Sequence, residues 1–229
     1  MTASFSGLVL GLLIGLRHAF EPDHLTAVST LLTESSGGRR GAWLGAIWGL
    51  GHTLALAVVG IILLLVGAEL PPRLAAIFEC GVSAMLILLG VRAVLRAVRG
   101  GDAGPITPHR HGPLEHVHGQ AAPHIHVVGR AVAWRPLVVG LVHGLAGSGA
   151  LTALVFAALP TPALRLAYIL VFGAGSIAGM TLASGVAGAS LRAAARHPGT
   201  RRTLALVTGV LSIVVGLVWA IPMVGLLLA

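Results

Sequence analysis

The sequence contains no lysine: its 15 basic side chains are all arginine, set against seven acids, for a formal net charge of +8. Charged residues make up only 10% of the 229, hydrophobic residues make up 56%, and the mean hydropathy is +0.94. Soluble domains carry about 25% charged residues, so this composition excludes an ordinary soluble domain and points to an integral membrane protein. In a soluble chain such a basic balance would suggest nucleic acid as a partner. Here the arginines fall in short connections, where membrane topology explains them. Cys80 is the one cysteine, which excludes an intramolecular disulfide and a paired-thiol redox centre. No basic segment precedes the first apolar run, and that run itself carries charges, so it does not read as a cleaved leader. There is no ATP-binding motif, nucleophile motif or cofactor fingerprint. The chain is therefore expected not to be an enzyme and to hold no resident cofactor.

What is present is a set of long apolar stretches. A helix crosses a bilayer with about 20 apolar residues, and six stretches qualify: 4–32, 41–66, 73–98, 134–159, 162–191 and 203–228. This predicts an all-α membrane protein of six transmembrane helices, divided as residues 1–98, a polar loop 99–130, and residues 131–229. Arg39 and Arg40 follow span one. Arg92, Arg96, Arg99, Arg110, Arg130 and Arg135 surround the loop, and Arg192, Arg196, Arg201 and Arg202 follow span five. The remaining connections hold only Arg73 and Arg165. Arginine-rich connections face the cytoplasm, so both termini are expected outside and the long loop inside, in a bacterial-type cytoplasmic (inner) membrane.

The two halves match each other in order. Gly15-Leu-Arg-His18 corresponds to Gly140-Leu-Val-His143, Leu25-Thr-Ala-Val28 to Leu151-Thr-Ala-Leu154, and Trp48-Gly-Leu-Gly-His52 to Phe172-Gly-Ala-Gly-Ser176. Three spans per half is an odd number, so the halves enter the membrane from opposite sides, the inverted-repeat plan of secondary transporters. Each half also holds a helix breaker. Pro22 removes a backbone donor in span one, and Gly144-Leu-Ala-Gly-Ser-Gly149 weakens span four. Spans one and four are accordingly expected to be discontinuous, with a substrate site near the midplane.

The first breaker lies in Arg17-His18-Ala-Phe-Glu21-Pro22-Asp23-His24. Ionisable groups inside a membrane are costly and mark functional sites. On an unbroken helix at about 100° per residue, Asp23 would lie about 140° from His18, and His24 about 120° away on the other side. Unwinding around Glu21-Pro22 is what could bring them to one ion. Imidazole and carboxylate ligands suit Ni²⁺, Co²⁺ and Zn²⁺, and no thiolate stands nearby to favour Cu(I). His52 is the next candidate ligand, following Gly49-Leu-Gly51, where small residues permit close helix approach. His143, Glu21, Glu79, Ser148 and Ser176 are candidates for a pathway or supporting role, and Arg17 for a structural counter-charge.

With these residues in view, His18-Ala-Phe-Glu-Pro-Asp23-His24 resembles the His-x-x-x-x-Asp-His signature of the nickel/cobalt transporter family. Leu50-Gly-His52-Thr resembles that family's Leu-Gly-His motif in the following helix. The specific motifs cover about residues 15–56. The resemblance implies Ni²⁺ or Co²⁺ as substrate, bound by His18, Asp23, His24 and His52, within a superfamily of six-helix transporters that includes amino-acid exporters. Typical permeases of the family have eight helices. Six spans make this chain similar to a short branch with urease-accessory-like members.

The polar loop holds His109, His111, His116, His118, His124 and His126, as three His-x-His pairs. Residues two apart in an extended chain face the same side, so each pair could chelate one ion, and histidine-rich tracts of this kind suggest metal binding. The expected activity is secondary transport of a divalent metal ion, with uptake the favoured direction. The expected partners are the ion, the lipid bilayer and a cytoplasmic metallochaperone, with no nucleic acid. The alternatives are metal efflux, export of an organic solute such as an amino acid, and a scaffold delivering metal through the loop.

Overall fold

The computed structural model describes residues 2–33, 38–68, 70–99, 107–111, 114–118, 125–127, 130–132, 134–146, 159, 161–194 and 198–228. Seven helices stand among them: α1 (Thr2–His18), α2 (Pro22–Thr33), α3 (Gly38–Val66), α4 (Pro72–Val98), α5 (Trp134–Ala146), α6 (Pro162–Ala194) and α7 (Pro198–Leu228). Among the described residues, four helices are long and apolar enough to cross a bilayer: α3, α4, α6 and α7. The expected first span is divided between α1 and α2. The expected fourth span begins as α5, which takes in Gly144 to Ala146 of the glycine-rich breaker; residues 147–158, with the rest of the breaker and Ser148, lie outside the described residues.

Over residues 107–132 the backbone forms two antiparallel hairpins. Strand β1 (Thr107–His111) pairs with β2 (Leu114–His118), and β3 (Ile125–Val127) with β4 (Arg130–Val132). The register sets His109 opposite His116 and Thr107 opposite His118. His124 lies outside the described residues. A purely α-helical chain is thus corrected by these two short ladders, which satisfy backbone donors outside the helices.

Backbone contact through glycine dominates the helix packing. Helix α1 packs on α6, and α5 packs on α3. A side chain at Gly15 would run into the Phe172 carbonyl of α6, and one at Gly140 would run into the Trp48 carbonyl of α3. Gly175 faces the Leu12 carbonyl, and Gly51 the Leu137 carbonyl. Each of these contacts in one half has a counterpart in the other at the positions that match in sequence. Helices that meet this closely gain dispersion contacts that lipid tails cannot supply.

Helix α3 also packs extensively on α6, and α4 on α7. There the buried Ser212 hydroxyl donates to the Leu86 carbonyl at 2.8 Å. Hydrogen bonds between membrane helices contribute about 0.6 to 1.7 kcal/mol. Ser212→Ala is expected to lower stability by about that much, read as a modest drop in the unfolding midpoint of the protein in detergent, with α-helical content unchanged.

Candidate metal site

The break between α1 and α2 begins with a missing donor. Pro22 has no N–H, so it cannot bond to the carbonyl four residues back, which belongs to His18. That carbonyl instead accepts from the Glu21 N–H at 3.1 Å, while the Arg17 carbonyl accepts from the Phe20 N–H at 2.9 Å. These tight turns close α1. Helix α2 then restarts with Pro22 in its first position, where its fixed φ suits helix entry, and the Leu25 N–H bonds to the Glu21 carbonyl at 2.9 Å. Asp23 lies in the first turn of α2 and His18 in the last turn of α1. Asp23 therefore sits at the helix end that favours a negative charge.

The change of direction brings His18 and His24 together, with ring centroids 4.4 Å apart. Helix α3 adds His52, at 5.1 Å from His18 and 5.4 Å from His24. Helix α5 adds His143, at 4.1 Å from His24. All four imidazoles and Asp23 are buried, His24 and His52 completely. The Asp23 carboxylate is shared: it accepts from His143 Nε2 at 2.8 Å and from His24 Nδ1 at 3.1 Å.

These groups form two overlapping triads. His18, His24 and His52 form one, and Asp23, His24 and His143 the other, each with ligand atoms within 4.8 Å of one another. Ligands at about 2.1 Å on a tetrahedral ion lie about 3.4 Å apart, so either triad would close on an ion after a shift of at most about 0.8 Å per ligand. Donors of the first triad are also free to do so, whereas Asp23, His24 and His143 are hydrogen-bonded to one another. His52 has both ring nitrogens without a hydrogen-bond partner, and His24 Nε2 and His143 Nδ1 are likewise unpartnered. Buried polar atoms are almost always paired, and each exception needs a reason. A cation supplies one here.

The structure brings His18, Asp23, His24 and His52 close together, but not as a single set. Asp23 joins His24 and His143 rather than the triad of His18 and His52. Glu21 is half-exposed, with its carboxylate 3.0 Å from His18 Nδ1 but out of line for a hydrogen bond. Ser176 enters neither triad: its buried hydroxyl donates to the Gly15 carbonyl at 3.3 Å and ties α1 to α6. Glu79 is partly buried on α4 and also belongs to neither. Arg17, expected as a counter-charge, is exposed in the last turn of α1.

Sequence reasoning missed the aromatic walls. Trp48 stacks on His24 at 5.4 Å and meets His143 edge-on at 5.7 Å, while Phe172 stands 5.6 Å from His18. The signal was available, because Trp48 and Phe172 open the matched Trp-Gly-x-Gly and Phe-Gly-x-Gly segments. These rings exclude water and lower the local dielectric around the ligands, which strengthens their interaction with a cation.

Fold and site together define a polytopic membrane protein with a buried histidine–aspartate cluster suited to a transition-metal ion. No family model and no solved structure matches the chain. The chain belongs to the family of the urease accessory protein UreH. It is 31% identical to UreH of Bacillus sp. (strain TB-90) over 216 residues, which covers 92% of this chain and 88% of that relative.

Proposed function

We infer that the protein is a secondary transporter of Ni²⁺ or Co²⁺ in the cytoplasmic membrane, with uptake the favoured direction. One observation carries this reading. Four buried imidazoles and a carboxylate converge from α1, α2, α3 and α5 at a helix break, with ring nitrogens unpartnered. Ionisable groups at membrane depth are too costly to be kept for helix association alone. The likeness to a urease accessory protein and to the nickel/cobalt signature supports nickel or cobalt as the ion. His18, Asp23, His24 and His52 are the proposed substrate ligands, replacing part of the ion's hydration shell.

The proposed architecture is six transmembrane segments in two inverted three-helix repeats. The reciprocal packing of Gly15 on Phe172 and of Gly140 on Trp48 supports it. So does the parallel placement of His18 by Phe172 and His143 by Trp48. The arginine distribution supports an orientation with both termini outside and the histidine loop in the cytoplasm, where it would meet a metallochaperone. Alternating access around the broken helices would expose the site to each side in turn. The driving force would be the membrane potential, an ion gradient or a separate energising chain.

The test is flux. In liposomes of purified protein, Ni²⁺ or Co²⁺ is expected to cross the membrane, and His18→Ala and Asp23→Ala are expected to abolish this. Flux undiminished in both variants would remove the site assignment. An organic solute such as an amino acid crossing in place of the metals would remove the substrate assignment.

A further inference from the structure

We propose that the two triads are successive stations for one ion, with His24 as the pivot. This rests on the metal-transport reading and assigns a second binding station, Asp23–His24–His143, and a transport role for His143. The first station is made of three neutral-type donors, His18, His24 and His52. The second replaces two of them with the Asp23 carboxylate and the His143 imidazole. His24 belongs to both, with its ring 4.4 Å from His18 on one side and 4.1 Å from His143 on the other.

Three observations argue for sequential rather than simultaneous occupation. First, His24 is common to both sets, so two ions could fill them together only by sharing its ring. Second, two divalent cations this close would repel strongly in a site walled by Trp48 and Phe172 and buried from solvent. Third, the members of the second station are bonded to one another: Asp23 is held by His143 at 2.8 Å and by His24 at 3.1 Å. The first station is open by contrast, with both nitrogens of His52 unpartnered. An ion would be taken first by the open donors. It would then draw Asp23 and His143 toward it while His18 and His52 let go.

The halves contribute unequally to the two stations. Every residue of the first comes from α1 to α3. The second is completed only by His143, from α5 of the other half. The exchange of ligands therefore transfers the ion from donors of one half to a site spanning both. The half-exposed Glu21 carboxylate, 3.0 Å from His18, stands at the approach to the first station.

The experiment uses the full chain in nanodiscs and liposomes, with Co²⁺ as the probe. Wild type is expected to bind one Co²⁺ at the cluster. His52→Ala is expected to keep Co²⁺ on the second station and His143→Gln to keep it on the first. X-ray absorption would then count two imidazoles in the former and three in the latter. Both variants are expected to lose at least tenfold in flux, because each has only one station. His143→Gln retains an amide donor toward Asp23, so it separates a lost ligand from a lost structural bond if His143→Ala does not fold. Flux within twofold of wild type in His143→Gln would overturn the second station. Two ions bound at once in wild type would overturn the sequential order. If wild type neither binds nor carries Co²⁺ or Ni²⁺, the metal reading itself fails, and this outcome is distinct from the other two.

Discussion

Changing His24 to alanine is expected to weaken Ni²⁺ or Co²⁺ binding by at least about 100-fold, more than any other single change at the cluster. Loss of an outer partner of a metal ligand typically costs 10–100-fold in affinity, and loss of a ligand exceeds that. His24 is the only residue common to both triads. Its removal leaves two ligands in each, whereas His52→Ala or His143→Gln leaves one triad complete. Titration calorimetry of the purified protein in nanodiscs is the measurement. An affinity within tenfold of wild type, in a variant with native helical content, would show that the ion does not depend on His24. Alanine also opens a gap beside Trp48, which stacks on the imidazole at 5.4 Å. His24→Gln, which retains much of the side-chain volume, should show the same loss of binding with a smaller loss of stability.

The second large effect concerns folding. Gly140→Ala and Gly15→Ala are each expected to destabilise the protein, although alanine is a better helix former than glycine by about 1 kcal/mol. A methyl group at Gly140 meets the Trp48 carbonyl, with the Trp48 ring 2.8 Å away. At Gly15 it meets the Phe172 carbonyl, with the Ser176 backbone nitrogen 3.1 Å away. Backbone cannot turn aside as a side chain can, so the helices must separate. Overpacking of this kind costs about 1–3 kcal/mol or more. Gly7 and Gly81 have nothing within 4 Å of an added methyl. Gly7→Ala and Gly81→Ala should therefore be neutral or slightly stabilising. The comparison is made on thermal unfolding in one detergent. Equal midpoints for all four variants would contradict the account of glycine as the means of close approach. Gly140→Ala should also weaken metal binding, since α5 carries His143 and rests on the turn that carries Trp48 and His52.

The contacts explain why some of this was visible in the sequence and some was not. Pro22 acts locally: it removes a donor from the next turn, so the break could be placed without knowledge of neighbouring helices. The burial of His18, His24 and His52 followed from polar groups lying in apolar runs. On an unbroken helix His18 and His24 point about 120° apart, so they meet only across a break. The partner of Asp23 was not visible, because it depends on how closely α5 approaches α3. That approach is set by Gly140 against the Trp48 carbonyl and Gly144 against the His52 carbonyl, not by anything near Asp23 in the chain. Ser176 shows the same limit from the other side. Its match to His52 in the internal alignment suggested a place in the pathway, whereas its hydroxyl reaches back to the Gly15 carbonyl and fastens a helix. The matched glycines proved more informative than the matched polar residues, because they mark where backbones touch.

The seat of α1 has a consequence for how the protein is made. Gly15 rests on the Phe172 carbonyl and accepts a hydrogen bond from Ser176, 161 residues later in the chain. A ribosome feeding the membrane releases α1 long before α6 exists, so the first segment enters the bilayer with its polar break unsupported and waits there. His18 and Asp23 meanwhile lack the Phe172 wall and the His143 partner that accompany them in the finished molecule. The early segment must be tolerated by the insertion machinery in this unfinished state. Completion of the histidine–aspartate cluster is thus among the last events of biosynthesis, reached only when the second half threads in and clasps the first.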